Sequence, residues 1–452
     1  MLSDVIAALA TPPGRSAIAV VRVSGDAALH VAGRVVGGSR NRGEEPGIES
    51  FPDRVATLAR FVAADGTPLD EGLVTVFRGP HSYTGDDLVE LSCHGGLLAP
   101  AQLLAALHAA GARPAAPGEF TRRALLNGKL DLLQAEAVGD LIDATAPAQG
   151  RAALHQLDGG LSRRLHALRE ELLELLSLLA YEIDFPEEDD GPMSPELIRA
   201  RLERTAVAVG HLLATAPDGE RLREGALVVL AGRPNAGKSS LFNAFLGTGR
   251  ALVTEIPGTT RDTIEAPSEV VGWPVRLADT AGLREAGERL ERLGIEVSRR
   301  YVAAADLLLL CVEAGRVLAP EERELLAERP SLLVRSKADL VPIAERESED
   351  GFPVSTVTGE GLDRLRQAMA ERLFSGAGDY AGLAPLLTRE RHRVALAGAK
   401  RALEAARLEL GRDAVLVAHQ LRQAVAALEE LIGVVHPDEV LGRVFEKFCV
   451  GK

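Results

Sequence analysis

The spacing of apolar positions changes along the chain, and each change marks a different kind of element. Residues 1–118 alternate short apolar runs with turns. Ile18-Ala19-Val20-Val21-Arg22-Val23, Leu73–Phe77 and Leu88–Leu91 read as strands, and Ala101–Ala110 as a helix. From 119 to 216 the period becomes helical. Leu154, Leu157, Leu161, Leu165, Leu168, Leu172, Leu175, Leu179 and Ile183 recur at three- and four-residue steps, predicting one long amphipathic helix that ends in the acidic stretch Asp184–Asp190. Residues 217–378 return to wholly apolar runs such as Ala226–Ala231, the mark of strands buried on both faces. Helical spacing resumes in 379–452, with Leu421, Val425, Leu428, Leu431 and Ile432 on one face. The expectation is a multidomain α/β protein. An N-terminal α/β domain (1–118) is followed by a helical domain in two pieces (119–216 and 379–452). A mostly parallel α/β domain (217–378) is inserted between those pieces, an arrangement tolerated when its two ends lie close together.

The inserted domain carries the strongest chemical signal. Gly232-Arg233-Pro234-Asn235-Ala236-Gly237-Lys238-Ser239-Ser240 follows an apolar strand and precedes the helical spacing of Leu241–Leu246. Strand, G-x-x-x-x-G-K-S loop and helix are the context of a P-loop, so the domain is expected to be a Ras-like P-loop domain. Backbone N–H groups and the helix N-terminus would cradle phosphates, Lys238 would reach the β- and γ-phosphates, and the Ser239 hydroxyl would bind Mg²⁺.

Further segments follow in the order a GTPase needs. Val275–Gly282 is a strand ending in Asp279-Thr280-Ala281-Gly282, where Asp279 would hold Mg²⁺ through water and Gly282 would sense the γ-phosphate. Between the two lies Thr254-Glu255-Ile256-Pro257-Gly258-Thr259-Thr260, whose Thr260 can give the metal a second hydroxyl. Downstream, Ser336-Lys337-Ala338-Asp339 ends another apolar run and fits a guanine-recognition pattern, with Asp339 accepting from the base. Ser355-Thr356-Val357 would close the base pocket with backbone donors. Ser336 stands where the pattern has Asn. Guanine preference is expected to survive through Asp339, with affinity reduced unless a water fills the gap. Leu283 follows the D-T-A-G segment and cannot orient a water. The compensating charge must come from elsewhere, and the oxygen-rich set of Asn235 and the 254–260 loop suits a monovalent cation.

Composition narrows the setting. The 452 residues carry a formal charge of −14, so contact with nucleic acid is expected to be local or made through a partner. Three dispersed cysteines, Cys93, Cys311 and Cys449, do not make a disulfide framework and fit a reducing cytoplasm. Neither a secretory leader nor a membrane span is expected, because no apolar run is long enough.

Several motifs together resemble a known family. The P-N-A-G-K-S-S loop, Gly258-Thr259-Thr260-Arg261-Asp262 and Asp279–Glu285 are similar to the TrmE–Era class of GTPases. Within it, five further segments resemble the MnmE (TrmE) family of tRNA-modifying GTPases. These are Ala10–Arg15, Ser82–Asp87, Cys93-His94-Gly95-Gly96, Pro117–Ala137 and the terminal Cys449-Val450-Gly451-Lys452. The likeness runs the length of the chain. It implies hydrolysis stimulated by K⁺, held by Asn235, the carbonyls of Thr254 and Ile256, and Thr259. It implies that Glu291 orients or activates water through a bridging water, the alternative being a solvated helix carboxylate. It also implies activation when two GTPase domains meet face to face.

For the N-terminal domain the resemblance implies a folate site for 5-formyl- or 5,10-methylene-tetrahydrofolate contacted by Arg22, Glu90, Lys129 and Lys452. Cys449 becomes a candidate catalytic residue, as nucleophile, as acid or in a structural role. The implied assembly is a homodimer joined by an FAD-dependent, MnmG-type partner in a heterotetramer or larger complex. That partner would supply redox chemistry and most of the tRNA contact. The implied product is a carboxymethylaminomethyl or aminomethyl group at C5 of the wobble uridine. The competing expectation is an Era-like ribosome-assembly switch, which should carry a basic RNA-binding module beside the GTPase domain.

Overall fold

A computed structural model describes residues 4–37, 47–184, 195–249, 265–279, 300–343, 350–374, 386–433, 438–446 and 448–452. Packing divides the chain into two units, Met1–Gly139 with Ile432–Lys452, and Asp140–Leu431.

Among the described residues of the first unit, seven strands form one sheet in the order β3-β4-β5-β6-β2-β1-β7. They are β1 (Ile6–Leu9), β2 (Ile18–Ser24), β3 (Val36–Gly37), β4 (Thr57–Val62), β5 (Pro68–Phe77), β6 (Leu88–His94) and β7 (Arg113–Pro114). All neighbours are antiparallel except β1 and β7. Alternation puts Val21, Val23, Phe61, Val74, Val89 and Leu91 on one face, where α1 (Ala28–Gly33) and α2 (Leu98–Ala109) cover them. The other face is covered at one end by Ala115 and by Phe120 of α3 (Glu119–Leu126), which pack on Ile6, Ala8 and Leu88. Its far end leaves Ile18, Leu58 and Leu73 exposed. Helix α4 (Leu132–Asp143) contributes Leu132 and Ala135 to a cluster with Leu441 and Phe445 of the C-terminal helix Asp438–Phe445.

This grouping draws the boundary differently from the expectation of 118, because residues 119–139 and 432–452 pack with the sheet. One physical reason is a buried ion network. Arg123 is 1 % exposed and donates to the Asp4 carbonyl and carboxylate at 2.8 Å each, and to Glu119 at 3.3 Å. Glu119 also accepts from Arg113 and from the Ala116 amide. A buried charge is tolerated only when paired and hydrogen-bonded in this way.

The second unit begins with α5 (Pro147–Leu157), α6 (Gly160–Asp184), α7 (Pro195–Ala214) and α8 (Ala216–Glu224). The leucine stripe expected as one long helix is two. The turn Asp158-Gly159 separates them, with Gly159 at φ +80°, a conformation that ends a right-handed helix. Leu161, Leu165, Leu168, Leu172, Leu175 and Leu179 of α6 are buried, whereas Leu154 is exposed.

A second sheet follows in the order β13-β12-β11-β8-β10-β9. Its elements in chain order are β8 (Ala226–Ala231), α9 (Lys238–Gly249), β9 (Glu265–Val270), β10 (Trp273–Asp279), β11 (Leu307–Glu313), α10 (Pro320–Glu328), β12 (Ser331–Ser336), β13 (Phe352–Pro353) and α11 (Leu362–Phe374). Every pair is parallel except β9 and β10. Central β8 and β11 are buried on both faces, one core including Leu230, Phe245, Leu309 and Met369 and the other Val229, Leu308 and Leu310. Helices α12 (Glu390–Glu409) and α13 (Ala414–Ile432) complete the unit. The two crossings between helices and sheet lie side by side. Asp140 accepts from Arg223 at 2.9 Å and Arg389 at 2.7 Å, and the Leu387 amide donates to Thr215 Oγ1 at 3.2 Å.

Candidate functional site

Strand β8 stops at Ala231, and the chain turns through Gly232–Gly237 into α9. Asn235 sits at φ +65°, a left-handed conformation that Asn tolerates better than most residues. Lys238 is buried and folds back over the loop, donating to the carbonyls of Gly232 at 3.0 Å and Arg233 at 2.7 Å. Ser239 Oγ donates to Asp279 Oδ2 at 2.8 Å, which joins the phosphate loop to the end of β10. An alcohol and a carboxylate at that distance form a hard oxygen pair suited to Mg²⁺. Ser240 lies in the first turn of the same helix.

The base side is built from neighbouring strand ends. Ser336 closes β12, Lys337 follows at φ +56°, and Asp339 lies exposed in a 3-10 turn, Ala338–Leu340. Lys337 Nζ is 2.5 Å from Glu313 Oε1 at the end of β11. After β13, Ser355 is buried and its Oγ accepts from the amides of Val357 at 3.3 Å and Thr358 at 3.2 Å. Thr356 and Val357 are exposed. Thr254, Glu255, Ile256, Pro257, Gly258, Thr259, Thr260, Thr280, Ala281, Gly282, Leu283 and Glu291 lie outside the described residues.

One anchor of this site did not come from the motifs. Arg233 of the loop pairs with Glu322 at 3.2 Å, and Glu322 also accepts from Arg316 and from the Ala319 amide. Burial opposes ionisation of Glu322, yet the Ala319 amide and the two arginines outweigh it and hold its pKa below the ordinary value. The signal in the sequence was Ala319-Pro320-Glu321-Glu322, a Pro at the start of a helix and a Glu at its third position.

A second cluster forms in the first unit, where the C-terminal tail lies against the sheet. Arg22 Nε donates to Glu90 Oε1 at 2.9 Å across the β2–β6 pair, and Arg22 also donates to the Gly451 carbonyl at 3.4 Å. The amides of Gly118 and Phe120, free donors at the start of α3, bond the carbonyls of Cys449 at 3.3 Å and Lys452 at 3.2 Å. Gly451 has φ +100°, and a Cβ there would meet Leu9 O at 2.5 Å and Ala10 Cα at 2.9 Å, so only glycine lets the tail lie this close. Burial and the nearby Arg22 push the Lys452 pKa down, while Glu90 and Cys449 oppose them. Cys449 itself is exposed. Arg22, Glu90, Cys449 and Lys452 are thus brought together from opposite ends of the chain. Lys129 is placed elsewhere, donating to the Pro80 carbonyl at 3.0 Å beside Asp86 and Asn127 in an open cavity.

Comparison with known proteins covers the same two regions. A family model described as the GTP-binding protein TrmE N-terminus matches residues 5–129, and one described as the MnmE helical domain matches residues 132–449. The tRNA modification GTPase MnmE of Moorella thermoacetica is 42% identical over 468 residues, covering 100% of both chains. The protein of that name from Laribacter hongkongensis is 43% identical, covering 100% of this chain and 99% of its own. That of Thermus thermophilus is 45% identical over 452 residues, again 100% and 99%. Identity of this extent over full length, with a P-loop at one site and the C-V-G-K tail at the other, means that the chain belongs to the MnmE family of tRNA modification GTPases.

Proposed function

We propose that this GTPase works with Mg²⁺ and K⁺ to install carboxymethylaminomethyl or aminomethyl groups at C5 of the wobble uridine of tRNA, using a tetrahydrofolate one-carbon unit. The observation that carries this reading is the tail folded beside Arg22 and Glu90. A pterin edge presents N–H donors that suit the Glu90 carboxylate. The anionic glutamate end of a folate suits Arg22 and Lys452, whose charges are otherwise only partly balanced. Cys449 lies within electrostatic reach of Lys452, so its thiol would stand beside the bound one-carbon carrier.

On the nucleotide side, Ser239 and Asp279 supply oxygens for Mg²⁺, and Lys238 would exchange its two loop carbonyls for phosphate oxygens. Asn235 is the described member of the expected K⁺ set, and a bound K⁺ would add the positive charge that Leu283 cannot help to organise.

The exposed Ile18, Leu58 and Leu73 lie on the same sheet face as Arg22 and Glu90, which supports a homodimer that covers the face and encloses the folate. With a charge of −14, tRNA contact fits better through an FAD-dependent partner than through this chain alone. Mass spectrometry of wobble nucleosides from cells lacking the chain tests the proposal. Loss of C5-aminomethyl-type groups, restored by the wild-type chain but not by Asp279→Ala, is expected. Unchanged nucleosides, with no second copy of the gene, would put a ribosome-assembly switch first.

A further inference from the structure

The base side of the nucleotide site contains a buried hydroxyl that makes no hydrogen bond among the described residues. Ser336 is 7% exposed, and its Oγ has no hydrogen-bond partner among the described residues. A Cβ placed on Gly237 of the P-loop would stand 3.4 Å from Ser336 Cβ and 3.6 Å from its Oγ. Ser336 therefore faces the phosphate loop from the guanine side, and its hydroxyl makes no hydrogen bond to a described residue there.

The backbone around it leaves little room for the hydroxyl to find a partner by shifting. The Ala314 amide donates to the Ser336 carbonyl at 2.9 Å, Ala338 to Val354 at 3.1 Å, and Val354 to Arg335 at 2.8 Å. Lys337, the next residue, is left-handed and tied to Glu313. A buried hydroxyl without a bond carries its desolvation cost uncompensated, so this position is not optimised for stability.

We propose that Ser336 sets the rate of guanine-nucleotide release by leaving the P-loop and the base-recognition loop untied. A longer side chain with both donor and acceptor groups, such as an Asn amide, would bridge the loops, and nucleotide could leave only after that bridge broke. Differences of this kind between related complexes are expressed mostly in the dissociation rate. The inference rests on the assignment of the β12 end as the guanine side and deepens it to a residue that controls residence time.

The test uses the full chain, a fluorescent GDP analogue and stopped-flow displacement. Ser336→Asn is expected to slow release about tenfold, equivalent to about 1.4 kcal/mol. Ser336→Ala is expected to release within twofold of wild type, because the hydroxyl it removes has no hydrogen-bond partner among the described residues. Ser336→Asn releasing within twofold of wild type at an unchanged melting temperature would overturn the proposal. So would Ser336→Ala releasing several-fold faster, since the serine would then be the tie. A wild-type chain that binds ATP as well as GTP would sink the guanine-side assignment itself, and this proposal with it.

Discussion

The phosphate loop and the tail cluster are built in opposite ways. Residues 232–240 form the phosphate loop from one continuous stretch, and its shape follows from local backbone geometry between a strand and a helix. The tail cluster joins Arg22 to the Gly451 carbonyl across 429 positions of sequence. A contiguous loop takes its shape mainly from its own residues. A discontinuous site depends on every contact that holds its distant pieces together, and here these include a helix start, a close backbone approach and a cross-strand ion pair.

Substitutions can set the two against each other. Lys238→Ala should reduce GTP hydrolysis by about a hundredfold or more, since it removes the charge that meets the phosphates, and should leave binding of 5-formyl-tetrahydrofolate intact. Steady-state phosphate release and calorimetry read the two arms, and parallel loss of both would erase the contrast.

The next largest effect is expected on stability. Glu119→Gln breaks a buried network with Arg123 and Arg113, and should cost about 3 kcal/mol in denaturant unfolding. Its pH dependence follows from the same contacts. Burial alone would raise the Glu119 pKa, but the Arg113 hydrogen bond, the Ala116 amide and the charges of Arg113 and Arg123 hold it below the ordinary 4.5. A depressed carboxylate stabilises the fold fully above its unfolded pKa and loses that contribution as pH falls through the folded one. Unfolding midpoints of the wild type should therefore decline below about pH 4.5, and Glu119→Gln should flatten that decline. An equally steep decline in the variant would remove Glu119 as its source.

The smallest effect sharpens the contrast most. Gly451→Ala places a methyl group against the Leu9 carbonyl and should weaken folate binding about tenfold, about 1.4 kcal/mol, with nucleotide affinity unchanged. Unaltered folate binding would mean that the tail's position is irrelevant to that site.

Much of the nucleotide side was legible from residue order. Gly232–Ser240, Asp279 and Ser336–Asp339 fall where strand ends were expected, because buried parallel strands announce themselves as unbroken apolar runs and loops follow their ends. The leucine stripe misled at Gly159, since three- and four-residue steps continue across a turn that only the backbone angle reveals. Glu119 and Arg123 lie within the Pro117–Ala137 segment of the family likeness, and nothing nearby announced that Arg123 would pair with Asp4. That Lys129 donates to the Pro80 carbonyl could not be read from its motif.

The sequence by itself determined what depends on neighbours along the chain. It defined the P-loop, the alternation of the first sheet, the helical character on either side of the inserted domain, and the family likeness. The tertiary structure decided which distant groups meet: Arg22 with the tail, Arg233 with Glu322, and Asp140 with both crossings into the inserted domain. The physical reason is range. Backbone preference and apolar period act over a few residues, whereas an ion pair or a close glycine contact exists only after packing has brought its partners together.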